Sequence, residues 1–312
     1  MRLVSATLSG ALYQSDCVDL LRSIPDSSVH MVFADPPFNL GKDYGPMGSD
    51  RRPEDQYLAW CREWLDEACR VLAPGGALYV YNLPKWLIPI GSHLNSAGMS
   101  FRHWVAIYKP TSLPIPRRLS PGHYGLLYYV KGDGPRVFNR DAVRVPIRTC
   151  RHCHGDIKDY GGHKKHLNAK GLNLTDIWDD VRAVRHLKYK NRPANELDPI
   201  VVERALLLST RRGDVVVDPF VGSGTTAFVA QENGRKWICG ELNDCSSAKD
   251  RISPIATRGS ILDGFSVHRV PRAFSTLRAL ARTGEDLGVP LDGPIGLMAA
   301  PAGQHHLQAR GV

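Results

Sequence analysis

A short apolar run, VHMVFA at positions 29–34, lies between the turn-like Pro25-Asp26-Ser27-Ser28 and Asp35-Pro36-Pro37. Bounded in this way, it predicts a buried strand that ends at a loop. Over 56–72, Leu58, Trp60, Trp64, Leu65, Ala68 and Leu72 recur at helical spacing, and Pro74-Gly75-Gly76 is expected to stop that helix. Ala77 to Tyr81 predicts another strand, so strand, helix and strand follow one another, which is an α/β signature. His103 to Tyr108 and Tyr124 to Val130 predict further strands. From about 133 to 192, turn residues and charge replace apolar periodicity, which predicts an insertion. Order returns at Asp198-Pro199, an N-cap followed by the residue favoured at the first helical position, and predicts a helix over Pro199 to Ser209. A strand at Val215 to Asp218, a glycine turn, a helix from Thr226 to Asn233 closed by Gly234, and a strand at Trp237 to Leu242 follow. Beyond about Arg258 the patterning weakens and predicts a loosely packed tail, with a basic helix near 273–282.

The 312 residues are 43% hydrophobic and 23% charged, the balance of an ordinary globular protein. The net charge of +9 favours a polyanionic partner, and the cations cluster, most densely in RAVRHLKYKNR at 182–192. The N-terminus lacks an apolar leader and no stretch approaches 18 apolar residues, which argues against secretion and membrane spanning. Most of the seven cysteines are scattered, and a reducing, cytoplasmic setting is expected.

Two motifs carry chemistry. Asp218-Pro219-Phe220-Val221-Gly222-Ser223-Gly224-Thr225 follows an apolar strand and opens a helix. Glycines there let backbone approach a ligand closely. Glu241 ends the next strand, about where a dinucleotide fold places a carboxylate for ribose hydroxyls. Strand, turn, helix, strand and terminal acid together predict a nucleoside site. No Lys-Ser or Lys-Thr follows the glycines, which excludes a P-loop, and only Ala227 stands at the third glycine position of an NAD fingerprint. The second motif is Asp35-Pro36-Pro37-Phe38, again directly after a buried strand. Its prolines fix the backbone, Asp35 adds a carboxylate and Phe38 a flat apolar face. That set suits a planar base with an exocyclic amine: the carboxylate and the Pro36 carbonyl accept its hydrogens while the ring stacks on Phe38. Either motif alone is also compatible with a rigid turn.

Together, and in this order, they resemble the amino-methyltransferase family of DNA modification enzymes in its β-class arrangement. The resemblance covers roughly Leu12 to Leu242. It implies a Rossmann-like fold with a mostly parallel twisted sheet flanked by helices. The implied cofactor is S-adenosylmethionine, the implied substrate double-stranded DNA, and the implied reaction methyl transfer to a flipped-out base. Asp at the first tetrapeptide position goes mostly with adenine N6 in this family, with cytosine N4 as the alternative. Tyr13 to Cys17 resembles the segment whose acid, here Asp16, contacts the cofactor adenine. Asp16, Asp218, Phe220, Gly222, Gly224, Thr225 and Glu241 are therefore the expected cofactor residues. Asn191 to Ser209 resembles the segment at the methionine end, and His123 to Lys131 one that often reads His-Glu, here with Tyr124 in place of the acid. The implied division is a catalytic half at 1–132, a target-recognition insertion at 133–192, a cofactor half at 193–257 and a tail at 258–312. Cytosine C5 methylation belongs to a different family with a Pro-Cys nucleophile, which this chain does not resemble, since no Cys follows a Pro.

Within the insertion, Cys150 and Cys153 form a C-x-x-C, and with His163 and His166 they have the spacing of a structural zinc site. A chance pair with solvated histidines is the alternative. Arg182, Arg185, Lys188, Lys190 and Arg192 are expected DNA contacts, against a solvated basic face. A cognate restriction endonuclease and a homodimer are further expected partners. A non-catalytic nucleic-acid-binding protein on the same fold, and an RNA or protein-amide methyltransferase, remain as other readings.

Overall fold

The computed structural model describes residues 1–42, 49–109, 116–117, 119–145, 161–162, 164–166, 168, 170–181 and 197–256. In chain order the strands are β1 (Arg2–Ala6), β2 (Gly10–Gln14), β3 (Val29–Ala34), β4 (Leu72–Asn82), β5 (Met99–Tyr108), β6 (His123–Lys131), β7 (Ile177–Trp178), β8 (Val215–Asp218) and β9 (Lys236–Glu241). The α-helices are α1 (Cys17–Arg22), α2 (Glu54–Val71), α3 (Pro84–Ser96), α4 (Pro199–Ser209), α5 (Thr225–Glu232) and α6 (Ser246–Ala256). The strands form one sheet in the order β1-β2-β9-β8-β3-β4-β6-β5-β7. The run from β2 to β4 is parallel, and β6 then turns the far side antiparallel.

Alternation along the strands builds a core on each face of the sheet. Val32 and Ala34 of β3 pack with α1, α2 and α3 on one face. Met31 and Phe33 of the same strand pack with α4, α5 and α6 on the other. A strand buried on both faces reads as an unbroken apolar run, which is how β3 was legible.

The helix expected over 56–72 starts earlier, at Glu54 after Pro53, with Glu54 and Asp55 in the first turn where the helix dipole favours acids. It ends at Val71, before Pro74-Gly75-Gly76. Leu72 already pairs with Val29, and the ladder then skips to Met31 and Ala77. The Pro-Gly-Gly segment is thus an irregularity inside β4. Gly75 has a φ of +71° and its carbonyl accepts from the Arg136 amide at 2.9 Å. A Cβ there would meet that amide at 2.6 Å, so only glycine fits.

Both flanks of the expected insertion pack on the main body. The Asn139 amide donates to the Leu208 carbonyl at 2.7 Å, and β7 pairs with β5. Trp178 is buried, and the Arg204 guanidinium lies over it while bonding both Asp180 oxygens at 2.8 and 2.6 Å. No helix among the described residues is long and apolar enough to cross a membrane.

Candidate active site

β3 and β8 are parallel neighbours, in register at Met31↔Val216 and Val32↔Val217. From β3 the chain crosses through α2 to β4 on one side, and from β8 through α5 to β9 on the other. The strand order reverses between them, and ligands of open α/β sheets bind outside the strand carboxyl ends at such a point. Asp35 and Asp218 each immediately follow or end one of these two strands. They share a cavity with Phe33, Phe220, Ser223 and Thr225.

The tetrapeptide is held by buried side chains of α2, β4 and α3. The Tyr57 hydroxyl donates to the Pro37 carbonyl at 2.6 Å and accepts from the Asn82 amide at 3.1 Å. The Trp86 indole N–H donates to the Phe38 carbonyl at 2.8 Å. Among the described residues no hydrogen bond reaches the carbonyl of Pro36. Phe38 packs on Tyr81 and Tyr124, each at 5.8 Å between ring centroids, and those two lie 5.3 Å apart. Burial, then the nearby Asp35 carboxylate, pushes the Tyr81 phenol up, so it stays protonated.

The glycine loop is held in a different way. Asp218 is buried; its Oδ1 accepts from the Phe220 amide at 2.8 Å and its Oδ2 from the Thr226 hydroxyl at 2.5 Å. Burial pushes its carboxyl up to about 7, helped by Asp35 and Glu241 and opposed by the two hydrogen bonds. Glu241 binds the Gly222 amide through Oε2 and the Asn243 amide through Oε1, both at 3.1 Å. Gly222 and Gly224 have φ of +54° and +84°. Phe220 meets the rings of Trp60 and Trp64 edge-on at 5.7 and 5.2 Å. Asp16 caps α1, accepting from the Val18 amide at 2.8 Å. It sits two residues after Gln14, which pairs with Glu241, so the two acids end adjacent strands.

The expected DNA contacts Arg182, Arg185, Lys188, Lys190 and Arg192 lie outside the described residues, as do Cys150, Cys153 and His163. His166 is described, exposed at the end of a short 3-10 turn. Among the described residues no group of three His, Cys, Asp or Glu side chains forms a metal cluster. The described cysteines are free thiols.

The family model for DNA methylases of the N6/N4 type matches residues 29–249, from β3 into α6. The chain belongs to the N6/N4 DNA methylase family. The Type II methyltransferase M.BamHI of Bacillus amyloliquefaciens is 48% identical over 243 residues, covering 78% of this chain and 57% of that protein. The chain thus spans little more than half the length of that relative. M.HpaI of Haemophilus parainfluenzae, also a Type II methyltransferase, is 32% identical over 76% of this chain and 72% of its own. Among solved structures, the cytosine-N4-specific PvuII DNA methyltransferase superposes with a TM-score of 0.57 at 17% identity, over 89% of this chain and 94% of that one. A DNA modification methylase from Thermus thermophilus, solved with S-adenosylmethionine, gives 0.55 at 22%, over 82% and 98%. These likenesses establish the Rossmann-like methyltransferase fold.

Several residues of this candidate site carry no local signal. Tyr57, Asn82 and Trp86 are ordinary core residues by pattern, and only the packing of α2, β4 and α3 turns their polar atoms towards the tetrapeptide. Tyr124, where the family often has an acid, becomes part of an aromatic group with Phe38 and Tyr81. An aromatic at an otherwise acidic position was the one sequence clue.

Proposed function

We propose that this chain is an S-adenosylmethionine-dependent DNA methyltransferase acting on the exocyclic amine of a flipped-out base, adenine N6. The observation that carries the reading is the meeting of the two Asp-Pro loops at one switch point, Asp35 beside Asp218. Asp35 and the Pro36 carbonyl accept the amine hydrogens, which localises the nitrogen lone pair. Tyr57 and Trp86 occupy the next two carbonyls, so the loop presents a fixed pair of acceptors. Phe38, Tyr81 and Tyr124 give the base an apolar wall, in line with the stacking that receives flipped bases.

The residues present fit the cofactor. Asp35 and Glu241 raise the proton affinity of the buried Asp218, and acids gathered in this way suit a cationic ligand. Gly222 brings no side chain to the loop, and the absence of one at Gly224 lets α6 press against it. S-adenosylmethionine, when bound, supplies the electrophilic sulfonium methyl. Asp16 and Glu241 end adjacent strands where a nucleoside's base and ribose hydroxyls can be read. Asp218 serves by holding Phe220 and Thr226 rather than by direct contact.

Asp35 favours adenine over cytosine, as does the 30% identical relative named DNA adenine methyltransferase YhdJ of Escherichia coli (strain K12). The basic run at 182–192 is proposed to contact DNA phosphates, and Cys150, Cys153, His163 and His166 to staple the insertion with zinc. A cytoplasmic setting, a homodimer and a partner endonuclease belong to the same reading, by analogy with Type II relatives.

The test is incubation with DNA and methyl-labelled S-adenosylmethionine, followed by nucleoside mass spectrometry. N6-methyladenine is the expected product. N4-methylcytosine keeps the chemistry and overturns the base; no labelled nucleoside on varied DNA overturns the activity. Elemental analysis of the purified chain checks zinc, expected at one ion per chain and lost in Cys150→Ser.

A further inference from the structure

α6 lies against the glycine loop so closely that a Cβ on Gly224 would meet the Ala248 Cα at 2.9 Å. One turn further along that helix, Arg251 Nη1 donates to the Thr225 hydroxyl at 2.9 Å and to the Ser223 hydroxyl at 3.3 Å. The same guanidinium lies 5.5 Å from the Phe228 ring of α5. Both hydroxyl residues are buried, and both line the cavity. Neither belongs to the acids that hold the other side of the loop.

We infer that Arg251 is a positioning residue that turns Ser223 and Thr225 into hydrogen-bond donors and so fits this end of the cavity to a carboxylate. An arginine has only donors, so each hydroxyl oxygen it touches must accept, and each hydroxyl hydrogen must point elsewhere. The two oxygens are 3.3 Å apart, so at most one hydrogen is used between them. At least one O–H is left to donate. The first amides of α5 point the same way by helix geometry, and the cap residue Gly224 brings no side chain to satisfy them. An anion is favoured at these donors, whereas the carboxylates of Asp35, Asp218 and Glu241 favour a cation. The proposal rests on the S-adenosylmethionine reading above and adds which residue orients the amino-acid end of that ligand.

The experiment compares binding of S-adenosylmethionine and of its decarboxylated form to the full chain by calorimetry. Wild type is expected to prefer the carboxylated ligand, and Arg251→Met to lose about tenfold of that preference, the size of one hydrogen bond to a charged group. Arg251→Lys should restore part of it, and Ser223→Ala should lose preference with Arg251 intact. An unchanged preference in Arg251→Met and Ser223→Ala, or equal weakening of both ligands, overturns the role of Arg251. Failure of wild type to bind S-adenosylmethionine at all instead overturns the cofactor reading.

Discussion

The Tyr57 hydroxyl donates to the Pro37 carbonyl at 2.6 Å, although the two residues lie 20 apart in the chain. This bond joins the middle of the Asp35–Phe38 tetrapeptide to the first turn of α2. Tyr57 is itself buried and held by Asn82. Tyr57→Phe should lower stability by about 1–2 kcal/mol, the usual result of removing a buried hydrogen-bonded group. It should slow methyl transfer while leaving S-adenosylmethionine affinity near wild type. Urea unfolding and single-turnover kinetics check the two halves; weakened cofactor binding would mean the bond supports the glycine loop instead.

Asp35→Ala removes the carboxylate proposed to accept from the target amine. Methyl transfer should fall at least about 100-fold, comparable to loss of one oriented electrostatic partner. Cofactor affinity should change little. Near-normal transfer in this variant would displace Asp35 from the reaction.

Gly222 and Gly224 both have positive φ, and Gly224 is pressed against Ala248. Gly224→Ala should cost about 1–3 kcal/mol through left-handed backbone strain, and more if α6 cannot shift. Gly222→Val should abolish cofactor binding by crowding the backbone. Thermal melts and cofactor titration distinguish folding loss from site loss; a Gly222→Val chain that folds and binds normally would remove the glycine from the site.

The Asp218 carboxyl is pushed up to about 7 from its ordinary 3.8. Between these values the folded chain holds a proton that the unfolded chain has lost, so this group makes stability fall as pH rises from about 4 to about 7. His30 contributes the opposite slope near its own range, because burial lowers it. The comparison of wild type with Asp218→Asn isolates the acid, and the difference should narrow as the pH is lowered towards 4. A cation in the cavity should also drive the proton off Asp218. Calorimetry near pH 7 in buffers of different ionisation enthalpy should show proton release with S-adenosylmethionine and less with uncharged-sulfur S-adenosylhomocysteine. Equal release would place the sulfonium away from Asp218.

The alternating and uninterrupted apolar runs determined the central strands β3, β8 and β9 and the helices α2 and α4. These were legible because a strand covered on both faces must be apolar throughout, and because Asp198 and Pro199 mark a helix start chemically. Both Asp-Pro motifs were legible for a similar reason, since each lies directly after a buried strand. The edge strand β1 was not, because its half-buried positions carry a weaker pattern, and neither was β2, a buried run of only five residues that opens on Gly10. Nor was α3, which contains Pro89 and Gly91 yet is fixed by packing of Trp86, Leu87 and Ile90. The end of α2 was legible to within one residue, since Leu72 is its C-cap and there already pairs with Val29. Tertiary structure alone decided that Asp35 and Asp218, 183 residues apart in the chain, share one cavity. It also decided what Tyr57, Trp86, Tyr124 and Arg251 touch. Apart from Tyr124, these side chains are ordinary by sequence, and their place at the site comes only from which loop atom lies within hydrogen-bonding or packing distance. The local chain encodes which segments are strands and helices, but the direction of a buried donor depends on neighbours far along it.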